Sequence, residues 1–188
     1  GHILSGGKHV AKILMLYPIN SIWTNYIPQS RNAIGNVIEA DFNYLTHNLL
    51  KMHYDFDYTD EDILGEAKVE KGKIKIRDEE YSVLILPPVT HLQKNAFDVI
   101  ARFIKSGGKV IADTLIPMEL LDYDKKDSVK KIKTVFGSDP EKLLHNFNNG
   151  AKFGVTHKNS RGDVYIIKGK GLHRENKKKE IKKILDQC

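Results

Sequence analysis

The chain has 188 residues, of which 40% are hydrophobic and 29% are charged, which is typical of one folded domain and excludes a disordered chain. No apolar run approaches the roughly 18 residues that a membrane span needs, so no membrane partner is expected. The net charge of +6 comes largely from lysines beyond residue 167. This crowding predicts a solvated basic helix at about residues 174–187 rather than a nucleic-acid interface.

Cys188 is the only cysteine, which excludes a disulfide framework or a cysteine-based metal site within one chain. It favours a reducing compartment, so we expect a cytoplasmic location. The first residues lack the charged and apolar regions of a signal peptide and supply no initiator Met. We expect residues 1–188 to be a single α/β domain and a fragment of a larger chain, with its core at about residues 10–170.

Strand and helix patterns alternate along the first half of the chain. Residues 11–16 predict a buried strand, and a long connection follows as far as residue 29. One helical stripe then recurs at intervals of three and four, through Ile34, Ile38, Phe42, Leu45, Leu49 and Met52. Residues 53–58 alternate like a second strand, and Thr59 is expected to cap a short acidic helix. Residues 69–76 predict a hairpin that turns near Gly72.

The second half continues the alternation. Residues 81–86 are apolar throughout, as in a strand covered on both faces. A helix, a strand at residues 109–113, helices at 127–136 and 140–147 and a strand at 164–167 follow. This order predicts a doubly wound, mainly parallel sheet with the strand at Val83 to Leu86 near its centre. The basic helix has only Ile181, Ile184 and Leu185 to bury and is expected to be dispensable for folding.

Ligands of open parallel sheets bind outside the carboxyl ends of the strands. The turn after the first strand has no glycine, which argues against a nucleotide cofactor, and no other cofactor is expected. The residues at the end of the strand at 109–113 include no cysteine or serine nucleophile. Asp113 is the best lone acid at a strand end. His53, Asp55 and Asp57 alternate and could share a face as metal ligands, but a strand edge leading to a capped helix is the favoured interpretation, without a metal.

Trp23 and Tyr26 lie with Ser21 in the long connection at the same edge of the sheet. Exposed aromatic rings there could stack on a sugar, or Trp23 could pack into its own domain or against a neighbouring one. So long and apolar a connection is costly in water unless it is covered. We therefore predict that Trp23 is partly exposed in this chain because its natural cover is another domain.

Several segments of the chain resemble, in the same order, segments of large multidomain glycoside hydrolases of the α-L-rhamnosidase-like type. These segments are residues 10–23, 55–64, 67–74, 81–88 and 107–111. The resemblance covers roughly residues 4–169. It implies a flavodoxin-like three-layer sandwich of the class I glutamine amidotransferase type, similar to the trimerisation domain of family 42 β-galactosidases. In that family the segment follows a catalytic barrel and precedes β-sandwich domains.

The resemblance implies a non-catalytic accessory domain that packs on the barrel, where Trp23 or Tyr26 could contribute to the carbohydrate cleft. Its partners would be the other domains of the parent glycosidase, with carbohydrate contact and homo-oligomer formation left open. Glycosidases need two carboxyl groups that face one bond, and no such pair is identified here, so no autonomous catalysis is expected. The alternative is a stand-alone small-molecule binding or hydrolytic protein that uses Asp113 and the acidic loop near Asp60.

Overall fold

A six-stranded sheet forms the centre of the computed structural model, which describes residues 11–26, 33–150, 152–169 and 174–188. Its strands are β1 Ile13–Leu16, β2 Phe56–Thr59, β6 Val83–Leu86, β8 Lys109–Asp113, β10 Gly154–Asn159 and β11 Asp163–Lys168. The strand order is β10-β11-β8-β6-β1-β2. All neighbouring strands are parallel except β10 and β11. The predicted mainly parallel sheet with Val83 to Leu86 near its centre is therefore confirmed.

Two smaller sheets accompany the central one. The strands β3 Lys68–Glu70, β4 Lys73–Ile76 and β5 Glu79–Tyr81 form an antiparallel sheet, and β7 His91–Gln93 pairs with β9 Glu119–Leu121. The predicted hairpin is confirmed, and Gly72 takes a φ of +74° in its turn. The predicted strand at 81–86 is divided, because Tyr81 pairs with Ile74 in the small sheet whereas Val83 begins β6.

Helices cover both faces of the central sheet. They are α1 Ile19–Thr24, α2 Ala33–Lys51, α3 Glu61–Glu66, α4 Lys94–Lys105, α5 Lys125–Phe136, α6 Pro140–Asn148 and α7 Arg174–Leu185. Alternate strand residues point to opposite faces. Thus Leu84 and Val110 pack with side chains of α3 to α6, whereas Val83 and Ile111 pack with side chains of α2 and α7. The result is a mixed α/β arrangement with helices on either side of the sheet.

Several local predictions were wrong. The connection at residues 17–29 contains α1, and its residues 27–29 lie outside the described part of the chain. The second strand begins at Phe56, and His53 lies before it with a φ of 59°. Asp60, rather than Thr59, caps α3 and accepts a hydrogen bond from the backbone N–H of Ile63 at 2.8 Å. The strand β10 was missed because most of its residues are polar.

The basic C-terminal helix is packed more deeply than the sequence indicated. Ile181, Ile184 and Leu185 are buried as expected, but Lys177 is also buried. The expectation that α7 buries only its three apolar residues is therefore wrong. Within the described residues, no helix is long and apolar enough to cross a membrane.

Replacing Gly162 with Ala should destabilise the fold. A Cβ atom there would lie 2.3 Å from the carbonyl oxygen of Ile104 and 2.4 Å from that of Gly108, and backbone atoms cannot move aside without disturbing the end of α4. We expect a loss of about 2–3 kcal/mol in the free energy of unfolding, measured by urea denaturation.

Gly154→Ala is the matched control in the same hairpin, because a Cβ at Gly154 meets no atom within 4 Å. Its effect should stay within about 1 kcal/mol. Equal losses in the two variants would contradict the close approach of the β10–β11 turn to α4.

Candidate functional site

The strand order reverses direction between β1 and β6: β2 lies on one side of β1, and β6, the next strand of this sheet along the chain, lies on the other. Such a switch point is where open α/β sheets bind ligands. Here α1 places Ser21 at this point, with no exposed surface. The Ser21 hydroxyl accepts hydrogen bonds from the backbone N–H groups of Thr90 at 3.0 Å and His91 at 3.1 Å, and donates to the His91 carbonyl at 2.9 Å. The side chain of Ser21 is thus engaged within the chain.

His91 is tied to the same short helix. Its Nδ1 atom lies 3.0 Å from the hydroxyl oxygens of both Thr24 and Thr90. Burial lowers the pKa of His91 below its ordinary value, and the nearby carboxylate of Glu119 opposes this shift. A neutral ring that shares hydrogen bonds with two threonines is suited to holding α1 against β7.

The two aromatic side chains of the α1 segment face outward. Trp23 is 68% exposed and Tyr26 is 69% exposed, and the backbone N–H of Tyr26 donates to the Trp23 carbonyl at 3.1 Å. The prediction that Trp23 is at least partly exposed is therefore confirmed. Single exposed apolar residues are common on proteins, but two large rings on one short segment make a local apolar surface, here called the aromatic surface.

The acidic loop near Asp60 serves mainly to hold α3. The Asp60 carboxylate caps this helix, and Asp62 accepts a hydrogen bond from the side-chain amide of Gln93 at 2.8 Å. Glu61 is 1% exposed, and its Oε2 accepts from the backbone N–H of Gln93 at 2.6 Å. Burial raises the pKa of Glu61, and its hydrogen bonds from Gln93 and Asn20 oppose this rise. In the part of the chain described, no three His, Cys, Asp or Glu side chains could hold a metal ion.

Asp113, the last residue of β8, belongs to a buried ionic cluster. The ammonium group of Lys177 lies 2.7 Å from Oδ1 of Asp113 and 3.1 Å from Oδ2 of Asp41, and donates to the hydroxyl of Thr114 at 2.6 Å. All four residues are at most 4% exposed. We call these four residues the Lys177 cluster. Asp113 follows Ile111 by two residues, so its side chain points to the face that α2 and α7 cover.

The charges of the Lys177 cluster do not balance. Two carboxylates share one buried ammonium, and Arg174, which is nearly half exposed, reaches Asp41 only at 4.0 Å. The second oxygen of Asp113, Oδ2, is buried without a hydrogen-bond partner among the described residues. Burial raises the pKa of Asp113 to about 6, because removing its charge from water outweighs the attraction of Lys177.

The predicted site residues therefore separate into two groups. Ser21, Trp23 and Tyr26 belong to the α1 segment, whose polar contacts lead to Thr90 and His91. Asp113 contacts side chains of α2 and α7 instead. Asp41 and Lys177 were not predicted from the sequence, although each carries a readable signal.

That signal is helical spacing. Asp41 follows Ile38 by three residues and precedes Leu45 by four, so it lies on the buried stripe of α2. Lys177 precedes Ile181 by four residues and Ile184 by seven, so it lies on the apolar stripe of α7. A charged residue at a stripe position predicts a buried ion pair, since a lone buried charge is too costly.

A surface groove of about 540 Å³ lies apart from these residues, between α4 and α5. Phe97, Tyr123 and Val135 line it together with lysines and aspartates. The ammonium group of Lys131 lies 4.3 Å from the centre of the Tyr123 ring. The groove includes none of the predicted site residues.

The chain has a distant structural neighbour among solved structures. No protein-family model matches the chain, and no curated protein matches it either. Among solved structures, the chain is similar to a rhamnosidase from Novosphingobium sp. PP1Y, with a TM-score of 0.45 and 13% sequence identity. The similarity covers 84% of this chain and only 16% of the rhamnosidase.

Replacing Asp113 with Asn should remove a pH-dependent part of the stability. The pKa of Asp113 is about 6 in the folded protein and ordinarily 3.8, so the folded state binds this proton more tightly than the unfolded chain does. The contribution is complete below about pH 4 and is lost as the pH rises through about 6. It is worth on the order of 3 kcal/mol.

Urea unfolding of the wild type and of Asp113→Asn between pH 4 and pH 7 measures this difference. Relative to the variant, the wild type should lose stability as the pH rises. Asp98→Asn is the control, since that half-exposed carboxylate pairs with Lys94 on the protein surface. A difference between wild type and Asp113→Asn that stays constant with pH would contradict the raised pKa.

Proposed function

We propose that the chain is a non-catalytic accessory domain of a glycoside hydrolase and packs against the catalytic barrel of its parent protein through the aromatic surface. One contrast carries the proposal. At the strand ends where an α/β sheet would bind a ligand, Ser21 and Lys177 are already bonded within the chain. In contrast, Trp23 and Tyr26, which lie on the same segment as Ser21, are exposed.

The aromatic surface has the properties of a domain contact. Tryptophan and tyrosine each bury about 150–250 Å² when they are covered, and they are enriched at protein interfaces. Ser21 holds α1, which carries Trp23, in place through hydrogen bonds to the backbone of Thr90 and His91. The same rings could instead contact carbohydrate in the cleft of the parent enzyme, because the C–H face of a sugar is apolar.

We also propose that the fold is flavodoxin-like. Numbered along the chain, the five parallel strands β1, β2, β6, β8 and β11 follow the order 2-1-3-4-5, which is the flavodoxin-like order. The sequence resemblance supports the amidotransferase-like variant of that fold, in which the chemistry of amidotransferases need not be retained. A cytoplasmic location and self-association remain predictions.

The alternative function is a stand-alone small-molecule binding or hydrolytic protein. The observation in its favour is the buried, unpartnered Oδ2 of Asp113 together with the raised pKa of that residue. Against it, Lys177 already pairs with Oδ1 of Asp113, and Asp60 is engaged as a helix cap. An ammonium held between two carboxylates has no lone pair with which to activate the Thr114 hydroxyl.

Activity measurements separate the two functions. We expect the isolated chain to turn over aryl glycosides, glutamine and aryl esters no faster than a heat-inactivated sample. Turnover well above that background, abolished by Asp113→Asn in a variant that still folds, would establish the alternative.

Trp23→Ala should destabilise the complete parent protein more than the isolated chain. Because Trp23 is 68% exposed here, its replacement should change the unfolding free energy of the isolated chain by less than about 1 kcal/mol. In the parent, loss of a covered tryptophan should cost about 3–5 kcal/mol. Thermal unfolding of both proteins, with and without the substitution, measures the difference.

Leu50→Ala is the matched control, since Leu50 is 60% exposed and lies on α2 rather than on α1. It should have little effect in either protein. The emission of Trp23, the only tryptophan of the chain, should resemble that of free tryptophan and be readily quenched by acrylamide. Equal, small effects of Trp23→Ala in both proteins, or a complete reading frame that encodes no other domain, would overturn the proposal.

A further inference from the structure

The surroundings of the Lys177 ammonium match a primary amine. This group has three N–H donors, and three oxygen atoms lie within 2.6–3.1 Å of it, from Asp113, Asp41 and Thr114. The side chain of Lys177 is 1% exposed, so water does not compete for these contacts.

The backbone at this point is also unusual. Thr114 has a φ of 63°, a left-handed conformation that β-branched residues rarely adopt. Its N–H donates to the carbonyl of Ile167 at 2.8 Å, and its hydroxyl can donate to Oδ1 of Asp113 at 3.0 Å. The strained turn therefore directs the Thr114 oxygen to the ammonium position. Strain of this kind persists where the surroundings enforce it and is concentrated at binding and catalytic sites.

The position and charge of these oxygens indicate a ligand site. They lie at the carboxyl end of β8, an edge at which parallel sheets bind ligands. Two carboxylates face the one ammonium of Lys177, and Oδ2 of Asp113 is buried and unpartnered among the described residues. The oxygens thus carry more negative charge than Lys177 neutralises, which favours a cation.

We propose that Asp41, Asp113 and Thr114 form a binding site for a primary alkylammonium group, and that Lys177 is a tethered ligand which α7 supplies to it. The Lys177 side chain occupies the site in the intact chain. Once that side chain is shortened, a free alkylammonium ion of the same length can take its place. This inference does not depend on the proposed accessory function.

Rescue of Lys177→Ala by n-propylammonium, which restores the atoms removed, tests the proposal. The substitution leaves two buried carboxylates without their ammonium and should lower the melting temperature by about 10 °C. Propylammonium chloride at about ten times its dissociation constant should restore about 4 °C, saturably. Tetramethylammonium chloride, a cation without N–H donors, should restore nothing at the same ionic strength.

The controls isolate the site. Wild type and Lys179→Ala, which removes an exposed lysine of the same helix, should not respond to propylammonium. The response of Lys177→Ala should disappear when Asp41→Asn is added. If Lys177→Ala is insoluble, its refolding yield from urea is measured with each salt, and only propylammonium should raise it. Equal effects of the two salts, or an equal response of Lys179→Ala, would overturn the proposal.

Discussion

The ammonium group of Lys177, buried between the carboxylates of Asp41 and Asp113, joins three parts of the chain that are distant in sequence. Removing charged groups from water costs several kcal/mol per ion, and only close pairing with complete hydrogen bonding offsets that cost. Without the ammonium, each of the two buried carboxylates would destabilise the fold. The packing of α2 and α7 on this face of the sheet therefore depends on all three residues being in place together.

The same interaction selects one orientation of α7. This helix carries five lysines, and its apolar stripe of Ile181, Ile184 and Leu185 is narrow. Hydrophobic contact is not directional, so three apolar residues alone define the rotation of the helix weakly. Only one rotation brings Lys177 to Asp41 and Asp113 while the stripe faces the sheet. The buried pairing thus adds specificity to a helix whose apolar area is small.

The residues at the strand ends favour a contact with another domain over catalysis. At the switch point, Ser21 satisfies the backbone N–H groups of Thr90 and His91, which in a binding protein could be offered to a ligand. At the end of β8, the ammonium group of Lys177 likewise pairs with the carboxylate of Asp113. Fold alone does not determine function, and the residues at these two points are engaged with the chain itself.

The sequence by itself determined the mainly parallel central sheet and most of the helices that cover it. The apolar run at Val83 to Leu86, the stripe of α2 and the hairpin at Gly72 were readable because each depends on local periodicity or turn geometry. The exposure of Trp23 was readable from its long, apolar connection. The polar edge strand β10 was not readable, since its pairing with β11 is a tertiary contact.

The tertiary structure alone decided the chemistry of the strand ends. Asp41 and Lys177 are separated by more than 130 residues, and spacing within each helix shows only that both are candidates for burial. Whether a buried charge finds its partner depends on how two helices pack against the end of a strand. The raised pKa of Asp113 follows from the same packing. The desolvation that raises this pKa, and the ammonium of Lys177 that opposes the rise, act on Asp113 only when α2, β8 and α7 are assembled.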